Sequence, residues 1–401
     1  METIISIVIF LFILSVLVLI HEFGHFLVAR KLNIKVEEFG FGFPVTPALF
    51  SIKRGETKYS FYPVLIGGFV KLYGEDEAGG GRVSTKGHIP LASNLKRAFF
   101  SRPVGQRAAV VVAGVVMNAI LAALIYYVML GFTNYKADLP LITDHKFFLV
   151  NQTNYNTKRP DLVVGWVVPD SPADRSGIKK PSKIVSVNGK TVKDNKSFSE
   201  LVNQYKGKEL TISLKNLRTD AVYTVQVTPR VNPPKGEGSL GVAFIPTTIL
   251  SYQTPTQKAL SGFIHPFNLM SYNMDVLGDL IALSFKEKTV EPVGSAVSGP
   301  IGIFVVFNDI GKFHDTQERL LEWLNLAGLL SITLAFFNIL PIPALDGGRL
   351  FFILIEGIFR KKVNQRVEVI AHSVGMVLLL GLILLVTIKE FSQFIFPLFL
   401  R

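Results

Sequence analysis

Four long apolar runs punctuate the chain: Ile4 to Ile20, Val104 to Phe132, Leu321 to Leu340 and Ser373 to Ile395. Each is close to or above the roughly 20 mostly apolar residues that a bilayer-spanning helix needs. Between the second and third runs the pattern changes. Asp161 to Val192 alternates short β-type runs with turn signals, ending at Asn188-Gly189, a good hairpin turn. Ser197 to Tyr205 reads as a short amphipathic helix, and Leu210 to Leu214 and Val222 to Val227 read as strands, so a compact α+β domain is expected over residues 161–231. Further on, Thr256 to Phe285 carries apolar residues at helical spacing, interrupted by Gly262 and Pro266. The proline, the asparagines, Asp275 and Asp279 favour a helix lying in the interface over a fifth span. On the other side of the second run, Tyr59 to Asp76 predicts two short strands meeting at Gly67-Gly68, a hairpin apolar enough to dip into the membrane. Glu75 to Arg82, with three consecutive glycines, reads as a flexible loop without the lysine-serine/threonine ending of a phosphate-binding loop.

Composition fits this picture. Of 401 residues, 49% are hydrophobic, too many for an ordinary soluble protein. With no cysteine, disulfides, thiolate metal ligands and a cysteine nucleophile are all excluded. The net charge of +12 is assigned to basic residues flanking membrane spans, not to nucleic acid. The first run opens Met-Glu-Thr with no basic residue before it and no small-x-small site after it, so it is expected to be a retained span and not a signal peptide. Arg30 to Arg107 is rich in lysine and arginine, and Arg360, Lys361, Lys362 and Arg366 precede the last run. Both connections are therefore expected in the cytoplasm, with the amino terminus, Thr133 to Glu318 and the carboxyl terminus opposite. The resulting division is a first span at 1–32, a cytoplasmic loop with the hairpin at 33–103 and a second span at 104–132. A linker at 133–160 leads to the α+β domain at 161–231, and a second linker with the interfacial helix follows at 232–320. The third span takes 321–357, a basic loop 358–372 and the fourth span 373–396.

The chemistry concentrates where the first run ends, in "HEFGH", residues 21–25. On a helix His21 and His25 share a face, so both imidazoles reach one metal ion, for which zinc fits best. Glu22 is rotated away, placed to take a proton from a bound water without ligating the metal. Ionisable groups in a bilayer cost at least about 2.5 to 3.5 kcal/mol, which metal binding offsets. The bland alternative, a polar helix end in the headgroup zone, draws on the span's length of only about 25 Å before His21. A third ligand is still required. His88, His145, His265 and His314 fall in loops or on the wrong side, leaving His372 as rival to Asp346 in "FFNILPIPALDGGRL". The third span runs inward, so Asp346 arrives at the depth of His21, and Gly347-Gly348 permits close approach to a neighbouring helix or metal. The competing reading makes Asp346 a cap for a helix starting near Arg349.

These residues carry a resemblance. "HEFGH" on the first span, "NILPIPALDGG" after the third and a domain between the second and third that resembles a PDZ module are similar to the site-2 protease family of intramembrane zinc metalloproteases. Within it, the bacterial regulator of sigma-E protease (RseP) group is most similar. "FGFGFP", "IGGFVKLYGED", "AGVVMN" and "SGPIGI" extend the resemblance over nearly the whole chain. It departs where a proline is usual near Val115, where Pro181-Ser182 replaces a Gly-Asp turn, and in having one PDZ-like module where larger relatives have two. The resemblance implies a polytopic α-helical membrane protein with four transmembrane helices, a membrane-associated β-hairpin and one extracytoplasmic PDZ-like α+β domain. It implies that His21, His25 and Asp346 hold Zn2+, that Glu22 is the general base and that Asn338 clamps substrate backbone, a helix–helix hydrogen bond inside the bundle being the equal alternative for Asn338. The strand edge at Gly67 and Gly68 would pair with an unwound substrate. Expected partners are the lipid bilayer and single-span transmembrane substrates, such as anti-sigma factors or remnant signal peptides. The expected location is the bacterial cytoplasmic membrane, with the site near its cytoplasmic face. The alternatives are a non-catalytic scaffold binding extracytoplasmic peptides, which four protein ligands on the metal would favour, and a metal transporter, which the clustering of polar residues at one boundary disfavours.

Overall fold

The computed structural model describes residues 2–64, 67–75, 95–155, 162–192 and 194–395. The glycine loop, His88 and the start of the α+β domain at Asp161 lie outside the described residues. Helix α1 (Glu2–Lys31) leads into strands β1 (Val36–Phe41), β2 (Phe50–Arg54), β3 (Thr57–Phe61) and β4 (Gly68–Leu72). Then come α2 (Val104–Phe132), β5 (Lys136–Pro140), β6 (Asn151–Tyr155), β7 (Val163–Val167), α3 (Pro172–Arg175) and β8 (Ser182–Val187). They are followed by β9 (Lys190–Thr191), α4 (Asn195–Gln204), β10 (Leu210–Asn216), β11 (Val222–Val227), β12 (Val242–Phe244) and β13 (Thr247–Ser251). The remainder is helical: α5 (Pro255–Glu287), α6 (Glu291–Ala296), α7 (Pro300–Gly311), α8 (Thr316–Ile339), α9 (Asp346–Phe359) and α10 (Gln365–Glu390). Among the described residues, four segments are long and apolar enough to cross a membrane: Ile5–Lys31, Val104–Phe132, Thr316–Ile339 and Arg366–Phe394.

The chain divides into two compact units, one of Met1–Ala122, Ser298–Phe304 and Leu329–Arg401, the other of Ala123–Val297 and Val305–Gly328. In the first unit, an apolar core of Phe26, Ala29, Val36, Leu72, Val110 and Ile353 joins α1, β1, β4, α2 and α9. Helices α1 and α2 approach closely because both carry small residues. A Cβ on Gly24 would stand 2.4 Å from the Ala113 carbonyl, so Gly24 serves helix packing.

The β-hairpin expected at Gly67-Gly68 does not form as such. Both of its strands exist, as β3 and β4, but the sheet order is β2-β3-β1-β4. Strand β1 lies between them, parallel to β3 and antiparallel to β4. The hairpin in this sheet is β2–β3, closed by Gly55-Glu56 with Gly55 at φ 67°, a backbone region that glycine enters freely. Among the described residues, strand β4 is an edge.

In the second unit, β11-β10-β8-β7-β12 form an antiparallel sheet, to whose β8 the short β9 pairs. Val164, Ile184, Val187, Ile212 and Leu214 fill the core under α3 and α4. Ser171 caps α3 and Asp194 makes a capping box with Ser197 on α4, local signals that fix where each helix starts. The sheet reaches past residue 231 to take in β12, and the segment read as a linker at 133–160 contributes β5 and β6 to a second sheet, β5-β13-β6. Thr254 and Gln257 form the capping box of α5, which runs 33 residues through Pro266.

Candidate metal centre

One turn of α1 separates His21 from His25, and both rings turn towards the start of α9. His21 Nε2 lies 2.9 Å and His25 Nε2 3.2 Å from the same Asp346 oxygen, Oδ2, and the two Nε2 atoms lie 3.2 Å apart. A tetrahedral zinc site with bonds near 2.0–2.1 Å has ligand-to-ligand edges of about 3.3 Å. Three electron-pair donors meeting in so small a triangle fit a cation better than they fit one another. The donor set of two imidazoles and one carboxylate leaves room for a fourth ligand, the arrangement of a hydrolytic zinc site.

The surrounding polar groups prepare the rings. His25 Nδ1 donates to the Val110 carbonyl at 2.8 Å, which leaves Nε2 as the lone-pair nitrogen. The Asn118 amide lies 3.3 Å from His21 Nδ1, and its Oδ1 is buried without a partner. With the amide turned over, Oδ1 accepts from His21 Nδ1–H, which sets the matching tautomer on His21. Gly114, on the same face of α2, makes the space. A Cβ there would stand 2.4 Å from His25 Nε2 and 2.7 Å from His21 Nε2. Gly114 and Asn118 both belong to the "AGVVMN" motif, which by itself assigns neither a task; an asparagine inside an apolar span is the available signal.

Asp346 reaches the site by a broken helix. Helix α8 stops at Ile339, and Pro341 and Pro343 hold the chain out of helix until α9 begins with Asp346 itself. The cap position belongs to Leu345, which has no side-chain cap bond, so Asp346 is not the cap that the bland reading made it. Gly347 and Gly348 are forced by this turn. A Cβ would lie 1.9 Å from the Leu340 carbonyl in one case and 2.5 Å from that of Ile342 in the other, so their close approach is to the preceding turn. The rival His372 accepts from the Ala344 N–H at 3.0 Å, bracing the turn from α10 and standing outside the triangle.

Glu22 lines a cavity of about 180 Å3 together with His25, Phe69, Glu75, Asp346 and Arg349. A Cβ on Gly68 would come within 3.7 Å of Glu22 Cγ, so the beginning of β4 passes directly beside it. Gly67, at φ 100°, turns the chain into that strand.

The sequence matches the model of peptidase family M50 over residues 9–382. The chain belongs to that family. This membership makes it a metalloprotease of the site-2 type, and its M50 relatives carry zinc in their names. One assigned as a zinc metalloprotease in Clostridium perfringens is 31% identical over 386 residues, 96% of each chain. Another in Nostoc is 30% identical over 389 residues, 95% of this chain and 94% of its own. The zinc metalloprotease RasP of Geobacillus kaustophilus is 26% identical over 466 residues, 98% of this chain and 99% of its own. Four apolar helices in an M50 chain make it a multi-pass membrane protein. Asn338 lies half-buried in the last turn of α8, and its amide is not one of the converging ligand atoms.

Proposed function

We propose that this chain is an intramembrane zinc endopeptidase that cuts single-span substrates within their transmembrane segments. The observation that carries this reading is the convergence of His21, His25 and Asp346 beside a cavity that holds Glu22. Zinc held by these three side chains would polarise the scissile carbonyl and lower the pKa of a water to about 7. Glu22 takes that water's proton and returns it to the departing amide nitrogen. Apolar side chains of β4 and α2, namely Phe69, Val70, Leu72, Val110 and Val111, line the cavity and limit bulk water around the reacting atoms.

A helical substrate hides its peptide bonds and must be extended before it is cut. The edge of β4, unpaired among the described residues and starting beside Glu22, supports pairing of the unwound segment by strand addition, with Gly67 and Gly68 leaving its approach clear. Asn338 clamps backbone at the end of the third span. The basic connections favour a catalytic end at the cytoplasmic face of a bacterial cytoplasmic membrane. The antiparallel sheet of the second unit is PDZ-like and extracytoplasmic. In favour of this is a groove of about 430 Å3 between α4 and β12, lined by Phe198, Val202, Leu240 and Phe244. Leu260, Phe263 and Phe267, exposed along one face of α5, support a helix resting in the interface. Suitable substrates are anti-sigma factors already trimmed outside the membrane and remnant signal peptides.

The test is direct. Purified protein incubated with single-span substrates should produce a cut inside the apolar segment, located by mass spectrometry. Glu22→Gln should keep its zinc and lose roughly 10²- to 10⁴-fold in rate; cleavage at the parental rate would remove Glu22 from the role of base.

A further inference from the structure

Beside the metal centre stands an ion pair that the proposed chemistry does not use. Arg349 Nη1 lies 2.7 Å from Glu75 Oε1, and both side chains are largely enclosed, at 28% and 13% exposure. Their places in the chain are informative. Glu75 follows the last residue of β4 by three positions, and Arg349 follows Asp346 by three, so it shares a helical face with that carboxylate. The pair is thus a short tie from the edge strand to the helix whose first residue reaches the histidines.

Two observations give the tie something to do. The β1–β4 ladder is regular from Phe41–Gly68 to Glu38–Lys71, then shifts between Glu38 and Val36, at the end of β4 nearest Glu75. A bulge there leaves backbone pairing alone a weak determinant of where that end of the strand lies. Glu75 and Arg349 also line the same cavity as Glu22 and Asp346, so a displacement of β4 moves the strand relative to the reacting atoms. Buried ion pairs contribute little net stability, and their best attested use is to hold one register among several.

We propose that the Glu75–Arg349 ion pair fixes the alignment of the β4 edge with the metal centre and thereby selects which peptide bond is cut. This rests on the strand-addition reading of β4. Side chains along a strand repeat every two residues, so a loosened β4 accepts a substrate displaced by two residues with the same faces inward. Only one nitrogen-to-oxygen contact is made, which an ammonium can replace.

The experiment maps cleavage products of a single-span substrate by mass spectrometry, using the full-length purified chain with its zinc content measured alongside. The parent should cut at one dominant bond. Glu75→Gln and Arg349→Gln should keep zinc but add cuts displaced by two residues, and Arg349→Lys should restore the single cut. Glutamine variants that retain zinc and cut only at the parental bond, at whatever rate, overturn the proposal. So does loss of zinc in them, which would make the pair a structural part of the metal site. Val70→Pro on β4 separates the two readings. If it leaves cleavage unchanged, strand addition itself fails; if it abolishes cleavage while Glu75→Gln keeps the parental bond, register selection alone fails.

Discussion

Gly114 and Asn118 touch the histidines from α2, which supplies none of the three converging donor atoms. Any side chain at Gly114 occupies the space of both Nε2 atoms, so Gly114→Ala is expected to lose zinc outright in a chelator competition. Asn118→Ala removes only the partner of His21 Nδ1, and an outer partner of this kind is worth about 10- to 100-fold in metal affinity. Equal zinc affinity in the Asn118→Ala and parental proteins would show that its amide serves helix packing alone. At this scale the sequence was uneven. The meeting of His21, His25 and Asp346 was legible because ionisable groups at the end of an apolar run are costly and must be matched. A glycine and an asparagine in a span are cheap enough to have many explanations, and only their neighbours across the helix pair distinguish among them.

Elements were legible where the pattern was strong, as in the four apolar helices and the strands β10 and β11. Strand β1 was not, because "VEEFGF" sets two glutamates and a glycine where alternation is expected. The structure accounts for one of them. Burial raises the Glu38 carboxyl, but hydrogen bonds from Ser60, Tyr62 and Lys58 outweigh this and hold it below the usual range, so the charge is at home in the sheet. With β1 unseen, β3 and β4 were paired with each other, although each in fact pairs with β1. A second element-scale consequence lies at the junction of β13 and α5. There His265 is wholly buried, shares a 2.9 Å hydrogen bond with the hydroxyl of Tyr252, and is pushed by that burial down to about 4. The unfolded chain binds this proton near 6.5 and the folded chain near 4, so stability is complete above about pH 6.5 and falls as the pH drops towards 4. The loss is on the order of 3 kcal/mol. The thermal midpoint of the detergent-solubilised protein should decline across that window, and His265→Gln should flatten the decline; an unchanged slope would assign it to other groups.

At the scale of the whole molecule, the basic connections, the apolar helices and the metal triangle give one account. Donor atoms 325 positions apart in sequence come together because α1 brings two histidines, and the proline-broken end after α8 returns the carboxylate to them. The absence of cysteine from the chain makes this convergence open to a clean spectroscopic test. X-ray absorption at the zinc edge of the parental protein should show only nitrogen and oxygen neighbours near 2.0–2.1 Å. An Asp346→Cys variant should add a single sulfur at about 2.3 Å. Zinc bound in that variant with nitrogen and oxygen neighbours alone would contradict the account, because the metal would then be held without residue 346.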